Sequence, residues 1–322
     1  MRHLPALLLP FCVCSATVFG QAATVVEEPK AAVSKTEEPL QEYVRIRRNE
    51  RKVSQALETS IIRFGKSPRY ADATVDLIGA IHLGEEQYYQ KLNEEFAKYD
   101  VLLFEAVMPA EAVRRGLRPG GGKGSRRLDM NQEWSDAKVG MAAIGVLQLG
   151  MKDALGLDFQ LSAVDYTPRN FVHADMTQEE FESSMARRGE TFAEIMAREM
   201  GKAALEQQKV NPIAANLDIV LSLLSTDRKY RVRRIAAAQL TKANEGEAFA
   251  EADGTSTIIT ERNIKAFKVL KRELLRGRKK IGVFYGAGHF PDMEKRLAKD
   301  FAFQRQSERW ITAWDLAPPK KK

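Results

Sequence analysis

The chain has 322 residues, of which 44% are hydrophobic and 29% charged, with a formal net charge of +7. That length holds a sizeable core, in one large domain or two small ones. The only cysteines, Cys12 and Cys14, lie in the first stretch. The rest of the chain is therefore without disulfides, thiolate metal ligands and a cysteine nucleophile.

In chain order, Arg2 precedes an apolar run from Leu4 to Phe19, followed by small residues. The run is too short to favour a membrane span and reads as a signal peptide over residues 1–22, cleaved after Gly20 or Ala22. The expectation is an exported protein, periplasmic or secreted, with no membrane span after cleavage. Residues 23–58, rich in Glu, Pro, Ala and Lys, read as a flexible lead-in. The sequence then predicts an α/β domain over 59–317 with a helical insertion at about 131–257, and a basic tail over 318–322.

Within that domain, Ser60–Gly65 and Ala73–His82 read as a strand pair joined by a turn. Gly84–Asp100 has helical spacing, with Tyr88, Leu92 and Phe96 on one face, and Val101–Val107 is a short apolar strand. Strand, helix and strand with short links predict a βαβ unit with a buried parallel pair. Lys279–His289, Asp292–Asp300 and Arg309–Leu316 repeat that plan. The predicted fold class is thus α/β, a mixed central sheet built from two βαβ units with a large helical insertion between them.

For the insertion the pattern predicts helices over Ser135–Leu155, Ile213–Leu224 and Tyr230–Ala243, and a strand over Phe159–Tyr166. Thr177 and Glu180 form a capping box opening a helix from Gln178 towards Gln208. Asn244–Ser256 reads as a polar loop, and Thr260–Gly277 as the helix that leads into the second unit. The basic runs Asp227–Arg234 and Lys271–Lys280 read as solvated helix faces, and no nucleic-acid partner is expected. The glycine-rich Arg118–Arg127 is no phosphate loop: Lys123 is followed by Gly124, and no strand precedes it. A Gly-x-Ser-x-Gly elbow is also missing.

Chemistry concentrates in a repeated word. GAIH ends at His82 and GAGH at His289, and both histidines fall at the C-terminal end of a predicted buried strand, the edge where open α/β sheets bind ligands. Glycine three residues earlier leaves room for a close backbone or a metal-bound group. Glu105, near the end of the strand Val101–Val107, needs a partner, because burying a lone carboxylate is costly. Two readings stand open: an ion pair with an arginine, or a ligand that completes a His82, Glu105, His289 set suited to Zn, Mn, Fe or Co.

Asn263 is the polar exception on the apolar stripe Ile259, Phe267, Leu270, Leu274. It either caps nearby backbone or, with Arg262, points into the cleft to hold an oxyanion. His173 is expected to line the cleft or support it, and Asp175 to assist the cap at Thr177. Tyr285, just before the second motif, is expected to contact substrate.

GAIHLG, the glutamate of FEAV, TERN before an amphipathic helix and YGAGH together resemble the TraB/GumN/Tiki family of metal-dependent proteases, over roughly residues 60–316. The resemblance implies an erythromycin-esterase/ChaN-like fold. It also implies His82, Glu105 and His289 around a divalent ion, Mn or Co by family habit, with Zn also fitting the ligands. Here the second motif continues as HFPDM, a departure that bears on substrate handling. The expected activity is a metal-dependent hydrolase acting on a peptide or protein. The alternative is a non-catalytic module binding a peptide, haem or iron in the same pocket.

Overall fold

A computed structural model describes residues 42–120, 127–128, 155–191, 193–195, 197–198, 201, 227–244 and 255–317. The expected signal peptide, the helices over Ser135–Leu155 and Ile213–Leu224, most of the polar loop and the basic tail lie outside the described residues, so the extent of the helical insertion does too. Seven strands make one sheet: β1 (Val44–Arg48), β2 (Ser54–Gly65), β3 (Thr74–Ala80), β4 (Val101–Phe104), β5 (Phe171–His173), β6 (Lys280–Gly286) and β7 (Gln304–Asp315). The helices that matter for the site are α1 (Glu86–Phe96), α2 (Gln178–Arg188), α3 (Arg228–Asn244), α4 (Arg262–Leu275) and α5 (Phe290–Phe301). The fold is α/β with a mixed sheet, as the pattern predicts.

Strand order departs from two side-by-side units. β6 runs between β3 and β4 and pairs with both in parallel, Phe284 standing opposite Ile78 on one side and Phe104 on the other. β5 continues the parallel set beyond β4. β3, β4 and β6 are apolar almost end to end because both of their faces are covered. The insertion of β6 depends on Gly282. A Cβ there would stand 2.6 Å from Leu102 Cδ1 and 3.1 Å from Ile78 Cδ1, the side chains of the two flanking strands.

The other half of the sheet is antiparallel. β2 pairs with β1 through Ser54–Thr59 and with β3 through Ile61–Phe64, while β7 runs along the opposite edge of β2 from Gln304 to Asp315. The predicted parallel pairing within the second unit therefore does not form: β6 and β7 point the same way but are separated by β3 and β2. β1 and the first half of β2 belong to the stretch expected as lead-in. Their order comes from burial of Tyr43, Val44 and Leu57, and from Arg45 and Arg47 pairing with the buried Glu58.

Helix boundaries follow capping chemistry. The Thr177–Glu180 capping box is present, but the helix it opens stops at Arg188 because Gly189 adopts a left-handed cap at φ 65°, far short of Gln208. Of the predicted strand Phe159–Tyr166 only Phe159 is in a strand, a two-residue one that begins at Asp158; Gln160–Ala163 is a helical turn. The basic run on α3 is not wholly a solvated face. Arg233 is buried, donating to the carbonyls of Leu155, Gly156 and Asp315 and to the Glu85 carboxylate at 2.6 Å.

Trp314 ties β7 to the start of α1, its indole N–H donating to the Leu83 carbonyl at 2.7 Å from a fully buried position. Trp314→Ala removes that bond and leaves a large void, so urea unfolding should show a loss of about 3–5 kcal/mol.

Candidate functional site

The C-terminal ends of β3, β6 and β4 lie side by side, with Gly286 in register with Ala80 and Phe284 with Phe104. The first residues beyond them are the candidate residues. Glu105 stands just past β4 instead of inside it, since the strand ends at Phe104. Its backbone N–H still donates to the Phe284 carbonyl at 3.1 Å, and its carboxylate turns back so that Oε2 accepts the Gly286 N–H at 2.6 Å. The second motif's glycine thus acts through its backbone: a Cβ at Gly286 would lie 3.4 Å from that same oxygen. Gly79 serves packing, since a Cβ there would stand 3.0 Å from the Ser60 carbonyl of β2.

Arg262, at the start of α4, meets the other carboxylate oxygen. One terminal nitrogen is 2.6 Å from Glu105 Oε1 and 2.6 Å from Asp175 Oδ2, while Nε donates to Asp175 Oδ1 at 3.0 Å. Asp175 is fully buried and also accepts the Met176 N–H, so it is not the helper of the Thr177 cap that its position suggests. Burial pushes the Glu105 carboxyl up, but Arg262, His289, His82 and the Gly286 N–H outweigh it and hold the pKa at about 2. The arginine-pair reading of Glu105 is realised, and it coexists with proximity to both motif histidines. Arg262 is spent on two carboxylates and is not a free oxyanion donor.

His289 is buried in a 3-10 turn, Ala287–His289, that follows β6. Its Nδ1 lies 2.7 Å from Asn263 Oδ1. The Asn263 amide orientation is fixed from its other end, where Nδ2 donates to the His289 carbonyl at 3.1 Å and to Asp292 Oδ2 at 2.8 Å. An amide oxygen only accepts, so Nδ1 carries the hydrogen and Nε2 presents its lone pair. Nε2 faces Glu105 Oε1 at 3.6 Å. Burial lowers the His289 pKa to about 4 against the pull of Glu105, so near neutral pH two acceptors face each other with no proton between them. Asn263 acts as a backbone cap and a clamp on His289, not as an oxyanion donor.

The remaining predicted residues divide. His82 follows β3 with an exposed side chain. Tyr285 is not available to substrate: it is fully buried, its hydroxyl donates to the Ala174 carbonyl at 2.6 Å, and its ring packs edge-on against His289 at 5.1 Å. His173 is partly buried, with Nε2 2.7 Å from the Ala106 carbonyl and burial lowering its pKa. Asp292 is the member that sequence reasoning missed, and Asp175 is one to which it assigned a different role. The signal available was an acid close to each histidine, in VHAD and in HFPDM.

No family model matches the chain, and no curated protein or solved structure matches it.

Among the described residues, no group of three or more His, Cys, Asp or Glu side chains is arranged to hold a metal ion. The donor chemistry fits a divalent ion in two of three positions. His289 Nε2 and Glu105 Oε1 present bare lone pairs 3.6 Å apart, and the histidine has the N–H···O partner that usually orients a ligating imidazole. The third residue of the expected set, His82, follows β3 with its side chain exposed.

Arg262→Ala leaves the fully buried Asp175 without a cation and Glu105 with a weaker partner set. Chemical denaturation should register a loss of about 3–5 kcal/mol, the usual cost of breaking a buried pair from one side.

Proposed function

We propose that this chain is an exported metal-dependent hydrolase of the TraB/GumN/Tiki type, acting on peptide bonds, with His289, Glu105 and His82 as the ligands of one divalent ion, Mn, Co or Zn. The observation that carries the reading is the bare Nε2 of His289 aimed at Glu105 Oε1, two acceptors held in contact range that a cation would join. When bound, such an ion supplies Lewis-acid polarisation and a nucleophile near neutral pH.

The chain's own residues do the rest. Asn263 and Asp292 keep the proton on His289 Nδ1 and the lone pair on Nε2. Arg262 and the Gly286 N–H hold Glu105 ionised and oriented. His82, whose side chain is exposed, would be the third ligand. The position at the C-terminal edge of parallel strands is where an α/β sheet leaves room for a substrate. The signal-peptide pattern of residues 1–22 supports export.

One observation favours the peptide-binding form of the non-catalytic alternative, a module that binds a peptide, haem or iron without turnover. Glu105 Oε1 already holds Arg262 at 2.6 Å, and that nitrogen competes with any ion for the same oxygen.

Elemental analysis and a diverse peptide library separate the two. The expected result is one divalent ion per chain, lost in His289→Ala and His82→Ala, with cleavage reduced by a factor of about 100 or more in both and circular dichroism unchanged in His82→Ala. Failure to take up Mn, Co or Zn together with no cleavage rejects the hydrolase, and co-purifying haem selects the binding module.

A further inference from the structure

At the opposite end of the parallel strands from His289 lies a second cleft of about 400 Å³, lined by Arg63, Thr74, Glu95, Lys98, Tyr99 and Lys280. β3 begins there at Thr74 and β6 at Lys280, so the length of a seven-residue strand, about 20 Å, separates it from the candidate site. The cleft is basic. Arg63, Lys98 and Lys280 line it, Arg309 reaches in from β7 and Arg278 stands behind, against the carboxylates of Asp76, Glu95 and Asp100.

Those carboxylates are already committed. Asp76 accepts from Arg63 Nε at 2.9 Å, from one Arg63 terminal nitrogen at 2.8 Å and from the Tyr99 hydroxyl at 2.8 Å. Asp100 Oδ2 accepts the backbone N–H groups of Lys279 and Lys280 at 2.9 and 3.0 Å. Glu95 is held by Arg309 as well as by Lys98, so Lys98 can leave it without stranding a buried charge. The Lys98 side chain is 66% exposed and the buried Glu95 keeps Arg309, so an incoming anion draws Lys98 away without leaving the carboxylate unpaired. Lys280 has no carboxylate within ion-pair distance among the described residues, and neither does the second terminal nitrogen of Arg63 find an acceptor there.

We propose that this cleft binds a small molecule bearing a phosphate or sulfate group, its anionic oxygens taken by Lys280, Lys98 and the free nitrogen of Arg63. The volume exceeds what a bare tetrahedral anion fills and lies in the range of small-molecule pockets. The ring of Tyr99 and the aliphatic stems of the lysines offer an apolar wall for the rest of such a molecule. The site is independent of the hydrolase reading, since it shares no residue with it.

Calorimetric titration of the full chain with phenyl phosphate, at constant ionic strength set with chloride, tests the assignment. Lys98 and Lys280 are exposed, so Lys98→Ala and Lys280→Ala leave the core intact. The expected result is saturable binding, weakened about tenfold by each replacement, the size of one charge-assisted hydrogen bond, with His289→Ala binding unchanged. Absence of saturable binding overturns the proposal, and so does equal affinity in Lys98→Ala, Lys280→Ala and the unaltered chain.

Discussion

Two carboxylates stand at the ends of neighbouring parallel strands, and one guanidinium serves both. Asp175 follows β5, Glu105 follows β4, and Arg262 reaches down from α4 to hold them together. Neither acid can be buried ionised without that cation, because an unpaired charge in this environment is far too costly. The direction of α4, the depth to which Asn263 is drawn and the position of His289 all follow from where Arg262 must sit. Arg262 and Asn263 are successive residues in one helical turn, so fixing the first delivers the second to the imidazole.

The site is therefore two clamps joined by adjacent residues. One clamp sets the charge and direction of Glu105, the other sets the tautomer of His289, and the 3.6 Å gap between Oε1 and Nε2 lies where they meet. A carboxylate kept ionised and an imidazole kept neutral are the protonation states that a divalent ion requires of its ligands. The polar groups that achieve this are fully occupied by one another. Of the two motif histidines, His289 is buried and His82 exposed, so the repeated word does not yield two equivalent positions. Both β3 and β6 have strands on either side, so the asymmetry arises beyond the strands: Asn263 of α4 holds both the ring and the carbonyl of His289, whereas the His82 side chain is exposed.

Much of this was legible in the chain. Continuous apolar runs identify β3, β4 and β6 because burial on both faces leaves no polar alternation, and the Thr177–Glu180 cap is a local signal that tertiary packing leaves intact. The strand-end location of Glu105 and His289 follows from the same runs. What escaped is non-local. Nothing in the spacing reveals that β6 threads between β3 and β4, since pairing partners depend on side-chain fit such as the vacancy at Gly282. The burial of Arg233, in a run that reads as a charged surface, depends on three carbonyls and Glu85 gathered from remote parts of the chain. Tyr285, just before the second motif, reads as a substrate contact, yet its hydroxyl is taken by a backbone carbonyl that composition does not disclose.

The central placement of β6 has a consequence in time. The strand that joins β3 to β4 is made about two hundred residues after β3, and the arginine that neutralises Glu105 comes only shortly before it. A ribosome that has released β4 has exposed two strands whose shared neighbour does not yet exist, and long-range parallel pairing of this kind is slow to form. The cleft consequently cannot come into being piecemeal. It assembles near the end of synthesis, once β6 is available to both of its neighbours.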